Sequence, residues 1–516
     1  MGILEKSLLL KVVFLIGLAF CNPSMMIWSR NPNQEFRGVW MQTIYQGQYK
    51  TMDKEEMEDY FVHILDKMSG LGINAIIFQV RPEADAFYNS KYEPWSRHLT
   101  GVQGMPPEEE WDPMEFLIAE CHKRNMEFHA WINPFRVQAD SAIPLSSNHI
   151  YYKHPEWFVK YGKGVYFDPG MPQSRNFCAK VVEDIVTRYD VDAIHIDDYF
   201  YPYPVKGEEF PDEHSFKLYG EKQGLNENQK DDWRRENINR LIQKLFITIK
   251  KKKPWVRFGV SPFGIYRNES KEKRNGGSET SGLQCYDDLY ADVLRWDKEM
   301  YIDYVVPQLY WRIGHKVADY EVLLYWWNKN IKNAHLYIGQ SVVSTPQTGE
   351  NAMKGFQEMV QKLELADGEK HVKGNCYWSY IDLVDNSNHI CPLLTERHQG
   401  KALVSSYEHL CEEIPDRVQG LETKIRSGKR YLVWEKNVPN PDKEGSVGRV
   451  VKYAVYRFPS GKRVNVKSEG ALIAITKKNY YALPTEKAGS KYTYVVVAGN
   501  RVNRVSKKLA KTKVVF

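Results

Sequence analysis

The sequence predicts an α/β fold: a (β/α)8 TIM barrel followed by a small all-β domain of the fibronectin type III kind. Between about Glu35 and the 380s, short β-rich apolar runs alternate with amphipathic helical stretches, the pattern of parallel strands joined by crossover helices. Eight such runs occur, the number that closes a barrel. After about residue 412 the pattern changes to short alternating strands separated by turn residues.

The eight strands are expected at Phe36–Thr43, Ala75–Arg81, Glu127–Ile132, Ala193–Asp197, Arg257–Ser261, Tyr304–Tyr310, Leu336–Gln340 and Asn375–Ser379. Helical periodicity lies between them, at Lys54–Gly70, Asp112–Arg124, Asn176–Tyr189 and Asp232–Lys252. No Gly-rich phosphate loop follows the first strand, which argues against a doubly wound open sheet. The C-terminal strands are expected at Arg430–Trp434, Tyr453–Phe458, Leu472–Ile475 and Tyr492–Val497. Their number and spacing suit a β-sandwich, serving either substrate binding or simple spacing. The division is therefore residues 22–411 for the barrel and 412–516 for the sandwich.

Residues 1–21 read as an export signal. Lys6 and Lys11 flank an apolar run that continues from Val12 to Phe20, too short to span a membrane. Leu18-Ala19-Phe20-Cys21 resembles a lipobox with Phe20 in place of the usual small residue, so Cys21 is either a lipid-anchor site or a cleavage position. Export puts the protein in a bacterial periplasm or on an outer-membrane anchor. The other cysteines are scattered without CxxC spacing, which disfavours a zinc knuckle. A net charge of +6 on 71 basic and 65 acidic residues is too mixed to indicate nucleic acid. The 33 tyrosines and 14 tryptophans stand out, because flat amphipathic rings fill cores and also stack on sugar faces.

In a barrel of this type the chemistry sits at the C-terminal strand ends. Those ends carry Trp40, then Gln79 and Arg81, then Trp131 and Asn133 with Arg136 just beyond, then His195, Asp197, Asp198 and Tyr199, then Gln308, Tyr310 and Trp311, and finally Trp378. Alternation along the fourth strand projects His195 and Asp197 together towards the barrel interior. Asp198 faces the other way unless the strand has turned, so a capping role competes with catalysis there. Hydrolysis of a glycosidic bond uses two carboxyl groups, one acting as acid and the other as nucleophile or base. Asp197 is the first, and the second is to be found among Glu83, Asp85, Asp287 and Asp288. Glu83 ranks first, being nearest a strand end. Asp288 opens a helical pattern, which makes a cap an equal reading.

Several segments together resemble the glycosyl hydrolase-like family 10. They are Gly38-Val39-Trp40, Phe78-Gln79-Val80-Arg81-Pro82, Ala130-Trp131-Ile132-Asn133-Pro134, Phe167-Asp168-Pro169-Gly170, Ile194 to Pro202, Ser261-Pro262-Phe263-Gly264, Tyr286 to Asp292 and Val306 to Trp311. The resemblance implies a bacterial TIM-barrel enzyme of the cell envelope that needs no cofactor. It implies a polysaccharide partner, and one branch of the family cleaves peptidoglycan glycan strands stripped of their peptides. It also implies a C-terminal domain of the fibronectin type III kind.

Two other readings use the same residues. His129, His195 and Asp197 are of types that could hold zinc in a metal-dependent hydrolase, although strand 1 lacks an HxH pair. Alternatively the aromatic residues could make a glycan-binding scaffold without catalysis.

Overall fold

The computed structural model describes residues 32–107, 111–270, 276–343, 352–386, 389–437 and 446–516. The expected export signal and Cys21 lie outside the described residues.

The barrel begins with β1 (Phe36–Met41), β2 (Ala75–Arg81) and β3 (Glu127–Ile132). A small antiparallel sheet then interrupts it, formed by β4 (Arg136–Gln138), β5 (Phe158–Tyr161) and β6 (Gly164–Phe167). The barrel resumes with β7 (Ala193–Ile196), β8 (Arg257–Val260), β9 (Tyr304–Val305), β10 (His335–Ser341) and β11 (Val372–Trp378). Each of these eight strands pairs in parallel with the next, and β11 pairs with β1 to close the ring. This is the TIM-barrel architecture, and all eight expected strands are present.

The largest departure is β9, which is two residues long rather than seven. Pro307 has no N–H to give the ladder, so regular pairing stops there. Gln308 continues the strand direction only as single bridges to Phe263 and Gly339. The expected helices recur with small shifts. The Lys54–Gly70 helix opens on a capping box between Asp53 and Glu56 and buries Met57, Phe61, Ile64, Leu65 and Met68, a stripe at helical spacing. Asp112 proves to be the cap of the helix Pro113–Lys123. The helix expected from Asn176 starts one turn earlier, at Pro172, because proline is well placed in a first turn.

Strand alternation sorts the core into two shells. Val39, Ile76, Phe78, Phe128, Ile194 and Ile196 face outward and pack under the helices. Phe36, Trp40, Ile77, Trp131, Tyr304 and Tyr337 fill the barrel interior. The interior is crowded enough to require glycine: a Cβ on Gly259 would sit 2.0 Å from the Tyr304 ring.

Among the described residues beyond the barrel, seven strands form two antiparallel sheets. In chain order they are β12 (Glu422–Arg426), β13 (Lys429–Val433), β14 (Val450–Pro459), β15 (Leu472–Thr476), β16 (Tyr480–Ala482), β17 (Lys491–Asn500) and β18 (Ala510–Val515). One sheet runs β12-β13-β16 and the other β15-β14-β17-β18. The four expected strands are β13, β14, β15 and β17. The β12–β13 hairpin turns through Ser427 and Gly428, both at positive φ, as a two-residue hairpin loop requires. Trp434, Tyr453, Val455, Tyr494 and Val496 make the core between the sheets. Val502, in the turn after β17, is fully buried among the residues of the barrel interior.

Candidate active site

The chain of residues that defines the site starts in the backbone after β1. The amide N–H groups of Thr43 and Ile44 donate to Gln79 Oε1 at 3.0 and 3.1 Å. That leaves the Gln79 Nε2 group to donate to Asn133 Oδ1 at 2.7 Å, and Arg136 donates to the same oxygen at 2.8 Å. With its oxygen so occupied, Asn133 must turn its Nδ2 group outward, and that group donates to Asp197 Oδ2. Three strand ends thus orient one carboxyl group.

Asp197 is only 5% exposed. Burial, then the neighbouring Asp198, push its pKa up from 3.8 to about 7, against the pull of Arg136, Asn133 and the Tyr199 N–H. Asp198 is raised as well, chiefly by burial, but its carboxylate accepts from the Tyr203 hydroxyl and the Gln308 side chain. Asp198 has therefore turned into the cluster, and the sharp end of β7 after Ile196 is what allows it. The capping alternative for this residue is replaced by side-chain partners.

Aromatic rings surround the pair. Trp40 meets Tyr310 edge-on at 6.4 Å and Trp378 at 6.3 Å, and Trp131 meets Trp378 at 6.3 Å. The Arg136 guanidinium lies over the Tyr199 ring, 5.0 Å from its centre. Trp311 packs edge-on to Phe263 further out along the same rim. Buried Trp131 Nε1 has no protein partner, and neither does Gln42 Oε1 at the end of β1. Both are groups that a sugar hydroxyl would satisfy. Below Asp197, His195 Nε2 lies 2.9 Å from Ser261 Oγ and accepts from Trp40 Nε1 at 3.3 Å.

Other expected site residues are placed elsewhere. A register shift between Gln79 and Arg81 re-aims Arg81, which is completely buried and pairs with Glu93 at 2.5 Å. It also donates to the carbonyls of Asn133 and Pro134, so it braces the backbone of the segment that holds Asp197. Glu83, the leading second carboxyl from sequence, is held by His98 at 3.0 Å, by the Ala139 N–H at 2.7 Å and near Arg97 at 3.7 Å. Burial acts to raise its pKa, but His98, Ala139 and Arg97 together hold it below the ordinary carboxylate range. Asp85 is buried beside it, raised by burial and by the Glu83 charge, and accepts from Gln103 at 3.1 Å. Asp287 makes a two-pronged pair with Arg267 at 2.8 and 2.9 Å, with about a third of each side chain exposed. Asp288 is the last residue of the short helix Cys285–Asp288 and accepts from the Gln284 N–H at 2.7 Å; the helix expected to open at Asp288 starts instead at Val293, with Asp292 as its cap.

His129 and His195 do not converge with Asp197 on one point. They lie one above the other along the barrel axis, bridged by the Tyr304 hydroxyl at 2.9 and 3.0 Å. Among the described residues no group of three or more His, Cys, Asp or Glu side chains could hold a metal ion. Tyr203 and Ser261 join the site without being among the expected site residues. Tyr203 was findable as the aromatic four residues beyond Tyr199, on which it stacks at 5.1 Å. A separate hollow of about 640 Å³ lies between the helices Pro172–Arg188 and Lys230–Lys252. Arg175, Arg240, Lys244, Lys251 and Glu183 line it, away from the carboxyl pair.

A carboxyl group that keeps its proton near neutrality, a second one beside it and walls of aromatic rings meet the needs of glycosidic bond cleavage. They sit at the C-terminal mouth of a TIM barrel, where enzymes on this fold do their chemistry, and together they define a glycoside hydrolase. The chain belongs to the glycosyl hydrolase-like 10 family, whose sequence model matches residues 35–356. It is 37% identical over 525 residues to the glycosyl hydrolase YngK of Bacillus subtilis (strain 168), covering 99% of this chain and all of that one. It is 34% identical over 373 residues to the glycosyl hydrolase DigH of Escherichia coli (strain K12), covering 67% of this chain and 83% of the relative. Among solved structures, the PgaB (BpsB) glycoside hydrolase domain from Bordetella bronchiseptica aligns with a TM-score of 0.47 at 10% identity, covering 72% of this chain and all of that domain.

Proposed function

We propose that this glycoside hydrolase is exported and cleaves a cell-envelope glycan, namely peptidoglycan strands stripped of their stem peptides. The observation that carries the catalytic part is the Asp197–Asp198 pair at the end of β7. Two like charges this close resist being ionised together, so the pair retains one proton near neutral pH. Both carboxyls accept hydrogen bonds, but beyond burial it is the Asp198 charge that raises Asp197, so Asp198 is the carboxylate of the pair. Asp197 is accordingly the acid, giving its proton to the leaving glycosidic oxygen as the bond to the anomeric carbon breaks. Asp198 supports the positive charge on the sugar and takes the proton of the water that forms the new bond there. Tyr310 and Trp378, which are partly exposed, offer their rings to the sugar with Trp40 and Trp131 packed behind them, and Gln79, Asn133, Arg136, Tyr199 and Gln308 hold the carboxyls and the rim. Glu83 and Asp287 serve structure rather than bond cleavage.

Residues 1–21 act as the export signal, with Cys21 as the anchor of a form held at the outer membrane and the periplasm as the alternative site. The boundary near residue 411 separates the barrel from a fibronectin type III-like sandwich, which the three-plus-four strand arrangement supports.

The substrate is tested by incubating the protein with intact and with amidase-treated peptidoglycan and weighing the products by mass spectrometry. Glycan fragments released from the peptide-free polymer alone support the reading. Equal release from both, or from neither, removes peptide-free peptidoglycan as the substrate.

A further inference from the structure

We propose that the C-terminal β-region positions the active site from below: Asn503 plugs the N-terminal mouth of the barrel and ends a column of hydrogen bonds, Glu127–His129–Tyr304–His195, that holds the Trp40 indole at the cleft floor. This rests on the glycoside hydrolase reading of the cleft and assigns a task to residues outside it. The residues of the column are positioning residues; none touches the reacting atoms.

The column is continuous and buried. Asn503 Nδ2 donates to Glu127 Oε1 at 3.0 Å. Glu127 Oε2 lies 3.2 Å from His129 Nε2 and 2.5 Å from Arg257. The Tyr304 hydroxyl bridges His129 Nδ1 and His195 Nδ1, and Trp40 closes the series on His195 Nε2. His129, His195 and Tyr304 are fully buried, and Glu127 is 5% exposed.

Its two ends dictate the direction of every bond in it. The Ser261 hydroxyl, 2.9 Å from His195 Nε2, can rotate to suit either tautomer, whereas the Trp40 indole N–H can only donate, so His195 Nε2 carries a lone pair and its proton is on Nδ1. That proton goes to the Tyr304 oxygen. The Tyr304 proton then has His129 Nδ1 to go to, which leaves the His129 proton on Nε2, facing Glu127. A carboxylate can only accept, so the far end demands the same arrangement. The reverse order would set N–H against N–H at Trp40 and a lone pair against the carboxylate at Glu127. Both imidazoles are kept neutral by burial, which lowers their pKa.

The lower end depends on the β-region. Asn500 Oδ1 accepts from the N–H groups of Val502 and Arg504 at 3.2 and 2.9 Å and so builds the turn in advance. Asn503 sits there with φ of 62°, a conformation asparagine tolerates better than most residues. Lys452 of β14 donates to Asn503 Oδ1 at 2.5 Å, which turns the amide nitrogen towards Glu127. Val502 fills the mouth, and its carbonyl accepts from the Tyr407 N–H at 3.0 Å.

The test uses the full chain labelled with 15N-histidine, and ring nitrogen shifts report each tautomer without any substrate. The wild type is expected to show His195 as the Nδ1–H form and His129 as the Nε2–H form, with resonances assigned through His129→Gln and His195→Gln. Tyr304→Phe keeps the ring but removes the bridge: each histidine keeps the tautomer its own end imposes, while the Nδ1 resonances of both should shift as they lose the hydroxyl. Asn503→Leu should disturb His129 and His195 from the other end and lower kcat about tenfold with KM changed less than twofold. Arg501→Gln removes a cation stacked 3.9 Å over Trp255 at the same interface and should leave tautomers and kcat unchanged. Averaged tautomers in the wild type overturn the column. A response to Tyr304→Phe but none to Asn503→Leu overturns the role of the β-region. Should Tyr304→Phe fail to fold, the Asn503 variant decides by itself. Failure of the glycan reading would show instead as wild-type protein with ordered tautomers and no cleavage.

Discussion

Asp197→Asn is expected to make the protein inactive and more stable at the same time, with a pH dependence that identifies the cause. In the folded protein burial and Asp198 raise the Asp197 pKa from 3.8 to about 7. At 1.36 kcal/mol per pK unit, and shared with the neighbouring Asp198 carboxyl, that rise corresponds to a folding cost on the order of a few kcal/mol. The sign follows from proton uptake. Below about pH 3.8 the carboxyl is protonated whether folded or unfolded, and it costs nothing. Between there and about pH 7 the folded state binds the extra proton, so stability falls as pH rises, and above pH 7 the whole cost is present. Asparagine cannot ionise, yet its carbonyl still accepts from Asn133. The variant should therefore melt close to wild type at pH 3.5 and several degrees higher at pH 8. Calorimetric melts at pH 3.5, 5, 6.5 and 8 measure this, beside a glycan cleavage assay. A stability gain independent of pH, or a loss at pH 8, would refute the assignment of a strained, proton-retaining carboxyl to Asp197.

Asp198→Asn removes the neighbouring charge, so the alkaline limb of the kcat/KM profile, set by Asp197 near pH 7, should move down by about 1–2 pK units; a limb that stays in place would assign it to another group. Glu83→Gln should keep most cleavage while costing about 1–3 kcal/mol in denaturant unfolding, because His98 and Arg97 lose a buried charge. A thousandfold loss of kcat in a well-folded Glu83→Gln protein would instead restore Glu83 as the second catalytic carboxyl. Gly259→Ala pushes a methyl into the Tyr304 ring and should cost about 3 kcal/mol or more, read as loss of soluble protein or a strongly lowered Tm; an unperturbed melt would mean the barrel interior can relax there.

The barrel and its order of strands are readable from the residues alone, since the apolar runs and helical stripes are local patterns set by side-chain spacing. The same spacing places Asp197 at the mouth, because a period of two along β7 leaves its facing no choice. What depended on long-range contacts could not be read this way. The fates of Glu83 and Arg81 turn on His98, Ala139 and Glu93, partners 12 to 56 residues away in the chain. The inward turn of Asp198 depends on Tyr203 and Gln308 meeting it, and Gln308 comes from another strand. Asn503 and Glu127 lie 376 residues apart, and no periodicity links them. Which face a side chain takes is a property of its own strand. Which charges it meets, and so whether it keeps its proton, is decided only when the ring of strands closes.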